Sequence, residues 1–83
     1  MEEIDLSFEI DLHYFSPKDT DFILNEFISF NIMKGIKEVK IIHGKGKSVK
    51  KHAVIRFLSS DVRVKSYHDD SSNWGSTIAE LFV

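Results

Sequence analysis

Leu6, Phe8, Ile10 and Leu12 alternate with Ser7, Glu9, Asp11 and His13. A period of two predicts a strand with one apolar and one polar face. Ser16-Pro17-Lys18-Asp19 then opens a helix: a serine to cap, a proline for the first turn, an aspartate for the positive dipole end. Ile23, Phe27 and Phe30 recur at helical spacing with Leu24 and Ile28 beside them, and Gly35 suits the C-terminal cap. Val39–Ile42 is short and largely apolar, as a buried parallel strand should be. His43-Gly44-Lys45-Gly46 is a turn, and a second helix starts at Lys47 or Ser48. Its buried stripe is Val49, Ala53, Val54, Phe57 and Leu58, and Ser59-Ser60-Asp61 ends it. Val62–Tyr67 alternates again and is a third strand. His68–Gly75 is a polar loop, and Ser76–Val83 is a fourth strand whose buried face the pattern leaves open.

The predicted order is β-α-β-α-β-β. Right-handed crossovers lay both helices on the same side of the sheet. The last two strands are joined by a loop and can run antiparallel. The expected fold is an α/β two-layer sandwich: a four-stranded mixed sheet with two helices on one face. The uncovered face carries Glu9, Asp11 and His13.

At 83 residues and 9.6 kDa the chain is expected to form a single domain over residues 1–83, with a modest core. There is no cysteine, which excludes a disulfide framework, a thiol nucleophile and a cysteine zinc site. No apolar run approaches the ~20 residues of a membrane helix. The acidic start Met1-Glu2-Glu3-Ile4-Asp5 differs from the positive start of a signal or transit peptide, so the cytoplasm is the expected compartment. Net charge is −2 but unevenly spread. Residues 1–33 hold eight acidic side chains against one lysine, whereas residues 34–52 hold seven lysines against Glu38. That lysine segment suits local contact with a polyanion, or simply a solvated face.

Two segments stand out chemically. In a strand, Asp11 and His13 point to the same side, at the C-terminal end where open α/β sheets bind ligands. An aspartate beside a histidine orients its ring, and the pair also offers two ligands to a divalent ion; a solvated polar pair is the plainer alternative. His43-Gly44-Lys45-Gly46 lies between a strand and a helix N-terminus, where glycines permit close approach and free N–H groups favour an anion. Lys45 and Lys47 add charge there. The spacing is not that of a nucleotide P-loop, and a βα turn needing glycine for geometry alone is the alternative. Parallel strands bring both segments to one edge. Two imidazoles and a phosphate-gripping turn suit phosphodiester cleavage, with one ring as base, the other as acid, and Lys45 with the turn N–H groups stabilising the charged transition state. Trp74 is placed to stack on a base or to cover the small core.

Ile10-Asp11-Leu12-His13, Ile42-His43-Gly44-Lys45-Gly46 and Trp74-Gly75-Ser76-Thr77 together resemble the small MutS-related (Smr) domain, from Phe8 to Phe82, in order and spacing. The resemblance implies the fold of the C-terminal domain of bacterial translation initiation factor three, with sheet order 1-2-4-3 and strand four antiparallel. It implies nucleic-acid binding or cleavage, of DNA or of RNA, including messenger RNA on ribosomes. Asp11 and His13 match the residues implicated in cleavage, and His43 to Gly46 those implicated in binding or cleavage. Three positions depart. Tyr14 stands where glycine is usual, where a ring narrows the cleft or stacks on a base. Ser48 replaces a frequent glycine, and Lys50 a frequent leucine, which adds charge where phosphate would run.

The expected activity is a stand-alone endonuclease with Asp11, His13 and His43 as catalytic residues. Gly44, Lys45, Gly46, Lys47, Lys50 and Trp74 are the expected nucleic-acid contacts. RNA carries its own 2′-hydroxyl nucleophile and requires no metal, whereas DNA needs water and calls for magnesium or manganese. The rival readings are a non-catalytic DNA-, RNA- or ribosome-binding module, and a protein-interaction domain with a vestigial cleft.

Overall fold

The computed structural model describes residues 8–44, 49–72 and 75–83. Four strands, β1 (Glu9–Asp11), β2 (Glu38–Ile42), β3 (Val64–Asp69) and β4 (Ser76–Leu81), form one sheet in the order β1-β2-β4-β3. β1 pairs parallel with β2, and β4 runs antiparallel to both β2 and β3. Helix α1 (Thr20–Met33) links β1 to β2, and α2 (Val49–Ser60) lies between β2 and β3. This is the four-stranded mixed sheet with two helices expected from the sequence.

The register separates the faces. Ile10 pairs with Ile41, Ile41 with Thr77, and Val39 with Ala79. Ile41, Val39, Ala79 and Leu81 are buried in one cluster with Leu24, Phe27 and Ile28 of α1 and Val54 and Leu58 of α2. Each fully buried Val, Leu or Ile side chain among them contributes ~1.5–3 kcal/mol. Across the other face, Glu9, Lys40, Ile78 and His68 form one row.

Local chemistry explains the element ends. Gly35 takes φ +75, its N–H donates to the Ile32 carbonyl, and the Ile36 N–H reaches back to Asn31; this is a Schellman stop for α1. Pro17–Asp19 forms a 3-10 turn ahead of α1, and Ser16 makes no side-chain capping bond. The capping serine expected from the sequence is therefore not realised.

Three further expectations are corrected. The first strand stops at Asp11 instead of running to His13, because the Asp11 carboxylate accepts the His13 backbone N–H and turns Leu12–Tyr14 into a 3-10 helix. Phe30 and Val49 sit on the solvent side of their helices, not in the buried stripes. The third strand begins at Val64, two residues late, because Asp61 caps a turn by accepting from the Arg63 N–H; it runs on to Asp69, into the expected loop. The expected start of α2 at Lys47 or Ser48 lies outside the described residues.

Candidate functional site

β1 and β2 are parallel and end at the same edge, where antiparallel β4 begins. α2 also starts there. The topology thus gathers Asp11, His13, His43, Gly44, Lys50 and Thr77 at one edge of the sheet.

Asp11 and His13 come together differently from the strand pairing expected. The Asp11 Oδ1 accepts from the His13 backbone N–H at 2.8 Å, so the carboxylate holds the turn rather than the imidazole. A second tie comes from α2, where Lys50 Nζ donates to the His13 carbonyl at 2.8 Å. His13 is exposed on this doubly anchored turn. Its ring reaches the second motif: a Cβ added at Gly44 would stand 3.9 Å from His13 Nδ1. Gly44 has φ +93, a conformation that side chains rarely adopt.

His43 is buried, with both ring nitrogens engaged. Nδ1 lies 3.2 Å from the Gly44 carbonyl and Nε2 lies 2.9 Å from Thr77 Oγ1. A carbonyl only accepts, so Nδ1 carries the proton and Nε2 accepts from the Thr77 hydroxyl. Burial lowers the His43 pKa below its ordinary 6.5, and nearby Lys51 adds to this; the Gly44 carbonyl and Asp69 oppose it. The ring is therefore a neutral clasp between the end of β2 and the start of β4. The backbone N–H groups of His43 and Gly44 both donate to the Gly75 carbonyl at 2.9 Å. The Gly44 N–H, one of those expected to meet a phosphate, is thus already committed.

Lys51 pairs with Asp69 at 3.2 Å, and Lys40 with Asp70 at 3.3 Å. Lys45, Gly46, Lys47 and Trp74, all expected contacts, lie outside the described residues. Thr77 carried no role in the sequence reading; its signal was its place in the third motif. Among the described residues, no three His, Cys, Asp or Glu side chains come together as a metal-ligand group, so the magnesium or manganese expected for DNA cutting finds no ready three-ligand set there. No helix among them is long and apolar enough to cross a membrane.

A family model for the Smr domain matches residues 10–81. The chain is 44% identical over 61 residues, 70% of its length, to a protein of Leuconostoc mesenteroides named Endonuclease MutS2, covering 8% of that protein. It is 35% identical over 71 residues, 86% of its length, to the Endonuclease MutS2 of Finegoldia magna, covering 9% of it. The chain thus spans less than a tenth of these relatives. In fold it matches the Smr domain of Thermus thermophilus MutS2 with a TM-score of 0.85 at 23% identity, covering 90% of this chain and 98% of that one. It also matches YdaL, a stand-alone small MutS-related protein from Escherichia coli, with a TM-score of 0.87 at 20% identity, covering 98% of this chain and 69% of that one.

Proposed function

The chain belongs to the Smr domain family, and on that premise we propose that it is a nucleic-acid endonuclease of the cytoplasm, nicking DNA or cutting RNA in the cleft between His13 and Gly44. The observation that carries this reading is the approach of the two motifs: His13 Nδ1 lies 3.9 Å from where a Cβ would stand on Gly44, the first of the turn's two glycines. A phosphate resting on Gly44 would meet that ring directly. The names of the MutS2 relatives support the same activity.

An imidazole takes and gives protons near neutral pH. His13 is the general base: it takes the proton from the attacking oxygen, the 2′-hydroxyl of RNA or a water on DNA, as that oxygen bonds to phosphorus. The bond from phosphorus to the leaving oxygen breaks, and the leaving oxygen takes its proton from the protonated His13 or from solvent. Asp11 and Lys50 fix where that ring stands by holding its backbone from both sides. The sequence makes His43 the acid or a phosphate contact. With both nitrogens engaged and its burial favouring the neutral form, it acts instead as a positioning residue for Gly44. Lys45 and Lys47, with Gly46 between them, supply the charge that grips the phosphate, and Lys50 adds to it.

End-labelled single-stranded RNA and supercoiled plasmid, each with EDTA, magnesium or manganese, provide the test. Wild type is expected to cut, and Asp11→Ala/His13→Ala to bind without cutting. A wild type that cuts neither substrate, yet binds with steep salt dependence, overturns the nuclease. That outcome would favour the non-catalytic nucleic-acid- or ribosome-binding module. One observation favours it: Asp11 Oδ1 accepts a backbone N–H, not an imidazole N–H.

A further inference from the structure

Tyr14 is 87% exposed, although its backbone sits in a turn tied by three hydrogen bonds. Asp11 holds the His13 N–H before it, the Phe15 N–H donates to the Leu12 carbonyl after it, and Lys50 holds the His13 carbonyl beside it. The neighbouring ring is that of His13, with centroids 5.4 Å apart and planes 50° apart. With Tyr14 87% exposed, the tilted imidazole leaves most of the tyrosine ring open. A large aromatic face is thus presented to solvent, on a fixed backbone, one residue from the proposed general base.

We propose that Tyr14 is a stacking platform for an unpaired nucleobase, and that the substrate of this cleft is therefore single-stranded. The proposal deepens the nuclease reading and rests on it for the identity of the cut bond. Every base has a π-face, so stacking on a lone aromatic is tolerant of sequence. A base inside a duplex already has both faces covered and must be unstacked before it can use such a platform. A base seated on Tyr14 carries its own sugar-phosphate linkage alongside, towards His13 and Gly44. A tyrosine on an anchored turn also has only two side-chain torsions to fix on binding, which keeps the entropic cost small.

Fluorescence anisotropy with EDTA present reads binding apart from cutting. The probes are a short labelled RNA strand, the DNA strand of the same sequence, its duplex, and the same DNA strand made abasic throughout. Wild type should bind either single strand more tightly than the duplex. Tyr14→Ala should weaken single-strand binding by about fivefold or more, the range that loss of one base–aromatic stack gives, and leave duplex binding unchanged. Tyr14→Phe should bind as wild type does. On the abasic strand wild type should fall towards the level of Tyr14→Ala, a control that needs no variant to fold. Equal single-strand binding by wild type and Tyr14→Ala, or a wild type that prefers duplex, overturns the proposal. The two readings fail separately. Cutting that depends on His13 but not on Tyr14 removes the platform and keeps the nuclease. Tyr14-dependent single-strand binding without cutting does the reverse.

Discussion

Gly35 and Gly44 both hold a positive φ, +75 and +93, but they answer to different demands. Gly35 closes α1, and a Cβ there would meet nothing within 4 Å. Gly44 faces His13 Nδ1, where a Cβ would make ordinary contact at 3.9 Å. Alanine at either position should cost about 1–2 kcal/mol through the left-handed backbone alone. Urea unfolding midpoints should therefore fall for both. Only Gly44→Ala should also slow cleavage, because its methyl group occupies the floor of the cleft; equal cutting by both variants would remove Gly44 from the site. The same scale shows what the sequence hid. The D-x-H triplet was legible, and so was its meeting with the glycine turn. The hydrogen bond from the His13 N–H to Asp11 was not. Alternation of apolar residues runs on through Leu12, which is indeed buried, so the pattern carries no mark of the point where a side chain ends the ladder.

Two joints hold the elements in place. The first is the His43–Thr77 clasp between β2 and β4. Burial lowers the His43 pKa below 6.5, so the unfolded chain takes up a proton at a higher pH than the folded one. The stability conferred by the neutral ring is fully present above 6.5 and is lost as pH falls from there towards the native value. Thermal unfolding should show a melting temperature that declines as pH falls from about 7.5 through 6.5 and below. His43→Gln should be less stable throughout and flatter across that window. A wild-type curve as flat as that of the variant would show that the ring is not held neutral. The second joint is Arg63, which donates to both Asp61 oxygens and to Ser29 and Asn25 of α1. Arg63→Ala should lose about 1–2 kcal/mol in urea unfolding, the modest figure reflecting its partial exposure. No loss would make the cluster a surface ornament. Both joints bear on legibility. Strand order followed from the resemblance, and the placement of both helices on one face from the right-handed crossovers. The two-residue delay of β3 did not, because Val62 alternates with its neighbours and only the Asp61 cap displaces it.

Charge is where reading along the chain and reading across the molecule diverge most. The seven lysines of residues 34–52 form one run in sequence, but the five that the structure describes occupy several places in space. Lys34 caps α1, and Lys37 immediately precedes β2. Both lie at the start of β2, whereas the cleft lies at its far end. A five-residue strand spans roughly 16 Å, beyond the Debye length of about 8 Å at physiological salt. Lys40 and Lys51 are paired with Asp70 and Asp69. Of the described lysines, Lys50 stands at the cleft, with its Nζ on the His13 carbonyl and two further donors on the same ammonium. Binding of a single strand should therefore draw on a few lysines, not on the whole positive segment. Each phosphate neutralised on a single strand contributes about −0.7 to the slope of log affinity against log salt. Lys50→Ala should make that slope shallower by about 0.7, and Lys34→Ala/Lys37→Ala should leave it unchanged. Titrations of a labelled RNA strand across a salt series decide the matter. An equal change in both variants would mean that the phosphate track crosses the whole sheet. It would then have to pass Glu9 and Lys40 on the open face, not end at the edge where His13 and Gly44 meet.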